Sequence, residues 1–220
     1  MELMVEWHYV SPKGLKTIFH SESLPAAHVL VLAEDLQKTG RVGKLILTDA
    51  HDSTWTVKEL KKYVKEMETE PQHIQLYFDG GYMHGERLAG LGCAIYYEQN
   101  GKQYRLRKNE QDGYVTSSNE AEYAALYFAL CELELLGAHH QPIEIYGDSQ
   151  VVIHEMRDDW AMMDAVHEKW AEKIETKLTQ LGLAANYMHI ERRANQEADQ
   201  LATQALEGTV IEAKIERMTK

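Results

Sequence analysis

SSNEAEYAAL, Ser117–Leu126, reads as the start of a helix. Ser or Asn can cap the free backbone N–H groups, acids follow, and a long apolar-periodic run comes next. Two glutamates, Glu120 and Glu122, stand one residue apart in it. At about 100° per residue, Glu122 shares a face with Ala125, Leu126, Ala129, Leu133 and Leu136, the stripe expected to pack on a core. Glu120 falls about 160° away, nearer Tyr123, Tyr127 and Glu134, where solvation and the positive end of the helix dipole account for it. A carboxylate at the head of a buried stripe is costly unless it is paired, protonated or bound to a cation. Glu122 therefore asks for a partner elsewhere in the chain.

Outward from this helix the pattern is regular. Upstream lie strands at Ile74–Asp79, ending in Asp-Gly-Gly, at Leu91–Glu98, and at Gln103–Arg107 after the turn Gln-Asn-Gly-Lys. Downstream lie a short apolar strand, Ile143–Tyr146, ending in Gly-Asp-Ser, then helices at Gln150–Arg157 and Ala165–Gly182. An alternating strand, Leu183–Ile190, and a last helix, Gln196–Leu206, complete the series. Three hairpin-joined strands followed by helix, strand, helices, strand, helix imply a mixed sheet, part antiparallel and part parallel, with helices packed on it. The polar stretch METEPQH, 67–73, marks a boundary. Before it, strands Leu3–Val10, Lys16–Ser21 and Lys44–Thr48, a short strand near Thr54–Val57, and helices Ala26–Lys38 and Lys58–Met67 make a small α+β module. The expected domains are 1–70 and 74–207, followed by a tail at 208–220.

Composition sets bounds. The chain of 220 residues is 44% hydrophobic and 26% charged, ordinary for globular domains. Its two cysteines, Cys93 and Cys131, lack a CxxC spacing, which argues against a zinc site or a disulfide framework. No run of about 18 apolar residues is present, so no membrane span is expected. The N-terminus does not read as a signal peptide, and a cytoplasmic monomer is the expectation. The net charge of −12 argues against a general nucleic-acid coat protein, but not against an enzyme holding cations in an acidic pocket.

The acids fall in a pattern. Asp79 closes the first strand of the larger domain and Asp148 follows the fourth, in YGDS. In open α/β sheets, sites form outside the carboxyl ends of strands where the strand order switches. Glu122 heads the helix leading into the fourth strand. Asp199 lies in ERRANQEADQLA, 191–202, among residues that mark a packed helix. Four carboxylates gather only with a countercharge, and no Lys or His is placed by the sequence to supply it. Hard divalent cations with oxygen ligands suit the set, Mg²⁺ or alternatively Mn²⁺. Two such ions about 3.5–4 Å apart would clamp the attacking and leaving oxygens of a phosphodiester.

The ordered series strand-DGG, SNEAEYAAL, YGDSQVV and RRANQEADQLA resembles type 1 ribonuclease H, in its compact, handle-less branch, over about residues 74–206. The resemblance implies an α/β fold with a ribonuclease H-like five-stranded mixed sheet flanked by helices, beside the small N-terminal α+β domain. It implies an endonuclease cutting the RNA strand of RNA/DNA hybrids with two metal ions. It assigns Asp79, Glu122, Asp148 and Asp199 as metal-binding acids. Asn119 and backbone near Gly80 and Gly81 would read 2′-hydroxyls, and Ser149, Arg192 and Asn195 would be further substrate contacts. Two readings keep the fold with a different role: a non-catalytic binder of hybrids or structured RNA, and a 3′-exonuclease.

The chain departs from the family pattern in places. YMHGERLAG, 82–90, replaces the usual Asn-Pro-Gly turn, and DDWAMMD, 158–164, lacks the basic residues common there. His189 lies near the position of a proton-shuttling His in larger relatives, but it falls in an alternating strand and is read as structural. His139 and His140 are read as loop residues, and Trp160 and Trp170 as core. PKGLKTIFHS, 12–21, resembles the turn of small N-terminal domains that grip hybrids in some ribonucleases H; protein contact is the other role considered for this module.

Overall fold

A computed structural model describes residues 1–217, which divide into two compact units meeting at Thr69/Glu70. In the first, β1 (Glu2–Val10) is flanked by β2 (Lys16–His20) and β4 (Val42–Asp49), with β3 (Leu24–Pro25) on the start of β1 and β5 (Thr54–Trp55) on β4. All pairings are antiparallel. Helices α1 (Ala26–Lys38) and α2 (Val57–Thr69) contribute Val29, Ala33 and Leu60 to a core shared with Leu3, Val5 and Leu47. The fifth strand is two residues long because a capping box intervenes: Thr56 Oγ1 accepts the Glu59 N–H at 3.2 Å, and the Glu59 carboxylate accepts the Thr56 N–H at 2.8 Å.

The second unit is built on β6 (Gln72–Met83), β7 (Leu88–Gln99), β8 (Lys102–Asp112), β9 (Pro142–Gly147), β10 (Ala184–His189) and β11 (Glu212–Arg217). Their order is β10-β9-β6-β7-β8-β11. β10 and β6 run parallel to β9, and the remaining pairings are antiparallel. The helices are α3 (Ser118–Leu136), α4 (Gln150–Met156), α5 (Ala165–Leu181) and α6 (Gln196–Leu206), with a 3₁₀ turn at Arg192–Ala194. The core is formed by Leu76, Phe78, Ile95, Leu126, Leu130 and Ile145, all fully buried.

Two features differ from the sequence reading. The sheet has six strands, not five, because the expected tail contributes β11 along the edge of β8. The connection is stapled by the buried Asn109, whose Nδ2 donates to the carbonyls of Leu201 and Thr209 at 2.9 Å each and whose Oδ1 accepts the Ile211 N–H at 2.7 Å. In addition, β6 runs on through Asp-Gly-Gly to Met83, pairing Gly80 with Leu91 and Gly81 with Gly90.

Glycine is needed in this stretch for close approach rather than for a turn. A Cβ on Gly80 would lie 2.2 Å from the backbone of Ala121, in the first turn of α3. A Cβ on Gly92 would lie 2.4 Å from the Ala198 carbonyl, in α6. The two helices thus press directly on the backbone of the sheet, α3 at β6 and α6 at β7.

Candidate active site

The first turn of α3 is fixed by its cap: Ser117 Oγ accepts the Glu120 N–H at 3.1 Å. Glu120 folds back to accept the backbone N–H and hydroxyl of Thr116 and the indole N–H of Trp170. Glu120 is thereby spent on structure, as the helical geometry suggested. Tyr123 was expected on its solvated side and is instead fully buried, because α4 and α5 cover that face of α3.

Asp79 stands on β6 just past the point where β9 leaves it. The parallel ladder ends at Tyr77↔Tyr146, β9 ends at Gly147, and Asp148 is the next residue. The two acids flank the opening this creates at the switch in strand order. α3 brings Glu122 over Gly80, and α6 brings Asp199 in on its first turn.

Their coupling is visible in protonation. Asp79 is 8% exposed and its carboxyl is pushed up to about 7, first by burial and then by the charges of Asp148 and Asp199. Glu122 is held well above the usual carboxylate range, first by burial and then by Asp79 and Asp148. The Gly80 N–H and the Arg192 guanidinium oppose that rise.

Each outlying acid has a protein donor. Glu122 Oε2 accepts the Gly80 N–H at 3.1 Å. Asp148 Oδ1 accepts from the Asn195 amide at 2.7 Å. Asp199 Oδ1 accepts from Arg192 Nη2 at 2.5 Å. The last pairing brings to the set a cation that is neither Lys nor His: the 3₁₀ turn folds Arg192 back onto the following helix.

Among the described residues no group of three or more His, Cys, Asp or Glu side chains is closed into a ready metal cage. The acids are turned onto these donors instead. The donor chemistry nevertheless suits a hard divalent cation. It consists of carboxylate oxygens alone, opposed by one guanidinium, with a buried Asp79 that leans toward protonation for want of positive charge.

The other expected site residues separate. Asn119 is exposed on the first turn of α3. Gly80 has committed its N–H to Glu122, while Gly81 sits in the β6–β7 ladder under Leu206. Ser149 caps α4, its Oγ accepting the Val152 N–H at 3.4 Å. Asn195 is 1% exposed and also donates to the Phe78 carbonyl at 2.9 Å, so it tethers Asp148 rather than meeting solvent. Arg192 is open to solvent.

His189 ends β10 as expected, and its Nε2 lies 3.3 Å from the Asp148 carbonyl oxygen. Trp170 packs partly buried against the core. Trp160 does not: it is half-exposed and stacks on His154, with ring centroids 4.6 Å apart. Among the buried polar groups that sequence reasoning missed is Tyr123–Glu155–His167, whose members are remote in the chain. An acid at position 155, in the mostly apolar VVIHEM helix, was the signal for it.

Comparison with known proteins agrees with this fold. The sequence profile of the reverse transcriptase-like family matches residues 77–205. An uncharacterized protein of Bacillus subtilis (strain 168), YpeP, is 40% identical over 200 residues, 91% of this chain and 88% of that protein. The ribonuclease H1 of the halophilic archaeon Halobacterium salinarum NRC-1 is 25% identical, with a TM-score of 0.53 over 62% of this chain and 99% of that one. LC11-RNase H1, isolated from compost by a metagenomic approach and solved in complex with an RNA/DNA hybrid, is 26% identical, with a TM-score of 0.55 over 61% of this chain and 97% of that one.

Proposed function

The chain belongs to the reverse transcriptase-like family and carries a type 1 ribonuclease H fold, and from that premise we propose that it is a metal-dependent endonuclease hydrolysing the RNA strand of RNA/DNA hybrids. The observation that carries the reading is the convergence of Asp79, Glu122, Asp148 and Asp199 from four separate elements on one opening of the sheet, with Asp79 buried and pushed up to about 7. The relative bound to a hybrid supports the choice of substrate.

Asp79 and Asp148 would hold the shared central position, with Glu122 and Asp199 one to each side. Two Mg²⁺ ions, or Mn²⁺, supply an activated water and charge neutralisation at the departing 3′-oxygen when bound. Asn195 fixes the rotamer of Asp148 through its amide. The Gly80 N–H orients Glu122. Arg192 is exposed and free to exchange Asp199 for a phosphate oxygen. Exposed Asn119 would meet a 2′-hydroxyl, the group that separates RNA from DNA.

Residues 1–70 are proposed as an accessory contact for hybrid or protein. Lys13, Lys16, Lys38, Arg41 and Lys44 fall in two stretches, 7–21 and 36–48, that contain no acid. The rings of Trp7, Tyr9 and Phe19 cluster on the same strands, with centroids 5.4–6.1 Å apart.

The test is incubation of an end-blocked, labelled hybrid with the full chain, with and without each metal. Internal RNA cuts that need the metal and vanish in a folded Asp148→Asn variant are expected. Salt-sensitive binding without turnover would replace this reading with a binder, and products released only from a free 3′ end would replace it with an exonuclease.

A further inference from the structure

Behind the acids lies a polar group enclosed in the apolar core. Glu155, in the second turn of α4, accepts the Tyr123 hydroxyl at 2.5 Å. The same carboxylate oxygen faces His167 Nδ1, in α5, at 2.9 Å. Tyr123 is fully buried, and Glu155 and His167 are 7% and 8% exposed. The Tyr123 and His167 rings lie 5.1 Å apart. Burying a carboxylate and an imidazole is costly, and an apolar trio of the same volume would hold the three helices at least as well. The arrangement must then supply something that apolar packing does not, namely a fixed distance and direction between helices.

The chain shows which distance this is. Tyr123 directly follows Glu122 in α3. Glu155 belongs to the helix that Ser149, the neighbour of Asp148, caps. α4 has only seven residues, too few to hold its own position, and otherwise depends on the apolar contacts of Val152, Ile153 and Met156. Apolar contacts tolerate sliding, whereas a hydrogen bond between two defined atoms does not.

We propose that Tyr123, Glu155 and His167 are positioning residues that set the spacing between Glu122 and Asp148, and through it the affinity of the acid cluster for divalent cations. This rests on the metal-dependent reading above. The tether works through the two helices and touches neither substrate nor cation. Loss of a partner hydrogen-bonded to a metal's ligand typically weakens metal binding about 10–100-fold, and a tether acting through two helices is set at the lower end of that range.

The experiment measures Mn²⁺ binding to the full chain by water-proton relaxation, beside metal-dependent hybrid cleavage, for wild type, Tyr123→Phe and Glu132→Gln. Tyr123→Phe keeps the ring and removes one hydroxyl. Glu132→Gln weakens the buried Lys108–Glu132 pair (3.0 Å) nearly three turns further along α3 and serves as a destabilised control. Both variants are expected to lower Tm by about 2–4 °C. Only Tyr123→Phe is expected to weaken Mn²⁺ binding, by about 10-fold or more, and to raise the metal concentration for half-maximal cleavage equally.

Wild-type Mn²⁺ affinity in Tyr123→Phe, or an equal loss in Glu132→Gln, would overturn the inference and leave the nuclease reading standing. A wild type that binds Mn²⁺ without cleaving would remove the nuclease reading while the affinity comparison still decides the tether. A wild type that binds no Mn²⁺ removes both.

Discussion

Substituting Gly80 by Ala tests whether the site is assembled by the close seat of α3 on β6. The added Cβ would lie 2.2 Å from both the carbonyl carbon and oxygen of Ala121 and 2.4 Å from the Glu122 nitrogen. Ordinary contact begins near 3.4 Å, so the first turn of α3 must retreat by about 1.2 Å. These are backbone atoms, and no side-chain rotation relieves them. Overpacking of this kind costs about 1–3 kcal/mol, or a fall in Tm of roughly 2–4 °C per kcal/mol for a unit of this size. Glu122 rides on the displaced turn and would also lose its 3.1 Å bond from the Gly80 N–H. A misplacement near 1 Å is worth about 100-fold in rate. The assay is hybrid cleavage at saturating metal beside thermal unfolding. Gly81→Ala meets only the flexible Leu206 side chain, at 2.9 Å, and should be milder in both readouts. Gly85→Ala has open space around it and should match wild type. If Gly80→Ala matched wild type in Tm and rate, the idea that this seat positions Glu122 would fail.

Two further substitutions separate the charge of the site from its architecture. Asp79→Asn should abolish cleavage yet stabilise the metal-free protein. The folded carboxyl titrates near 7 against 3.8 as its ordinary value, so the folded state binds more protons between those limits and wild type loses stability as pH rises through that window. At about 1.4 kcal/mol per unit the full penalty is at most about 4 kcal/mol above pH 7. Urea unfolding in EDTA at pH 5 and pH 8 should show the variant gaining on wild type at the higher pH, and a variant less stable than wild type at pH 8 would refute the assignment. Asn109→Ala strips a donor from each of the Leu201 and Thr209 carbonyls and an acceptor from the Ile211 N–H, costing about 3 kcal/mol at roughly 1 kcal/mol per bond. An unchanged urea midpoint would mean that β11 is held by its ladder alone.

The fold was legible where side-chain period and turn chemistry speak together. The hairpin strands, the Ser117 cap and the helix stop at Gly182 all declared themselves locally. What escaped notice depends on partners that no local pattern names. β11 is exposed along nearly its whole length, so EAKIER offers no buried alternation, and its place is set by Asn109 a hundred residues earlier. The extension of β6 through two glycines looks like a turn in one dimension; only helices pressing on both faces make glycine the residue a strand needs there. Trp160 was assigned to the core by its size, but it stands in a segment with no helix above it and stacks on His154 instead. Asn195 was read as a substrate contact, yet it is buried, and its task became visible only when Phe78 and Asp148 appeared on either side of its amide.

The donors around the acids indicate how the carboxylates are held together. Glu122, Asp148 and Asp199 each lean on one polar group of a different kind, a backbone N–H, a buried amide and an exposed guanidinium. These differ in how readily they yield. The Gly80 N–H and the Asn195 amide are fixed by the sheet and by burial, so they continue to orient their carboxylates when a cation arrives. Arg192 sits on a short exposed turn, and only its charge competes directly with an incoming ion. Asp79, at the centre, takes the sum of its neighbours' repulsion and has burial against it as well. On the proposed metal-dependent reading, a cation entering this opening would relieve most at Asp79 and displace least at Glu122 and Asp148. On that reading the carboxyl raised by its neighbours' charge is also the one where a bound ion would gain most, and the two fixed donors would keep the remaining carboxylates aimed at it.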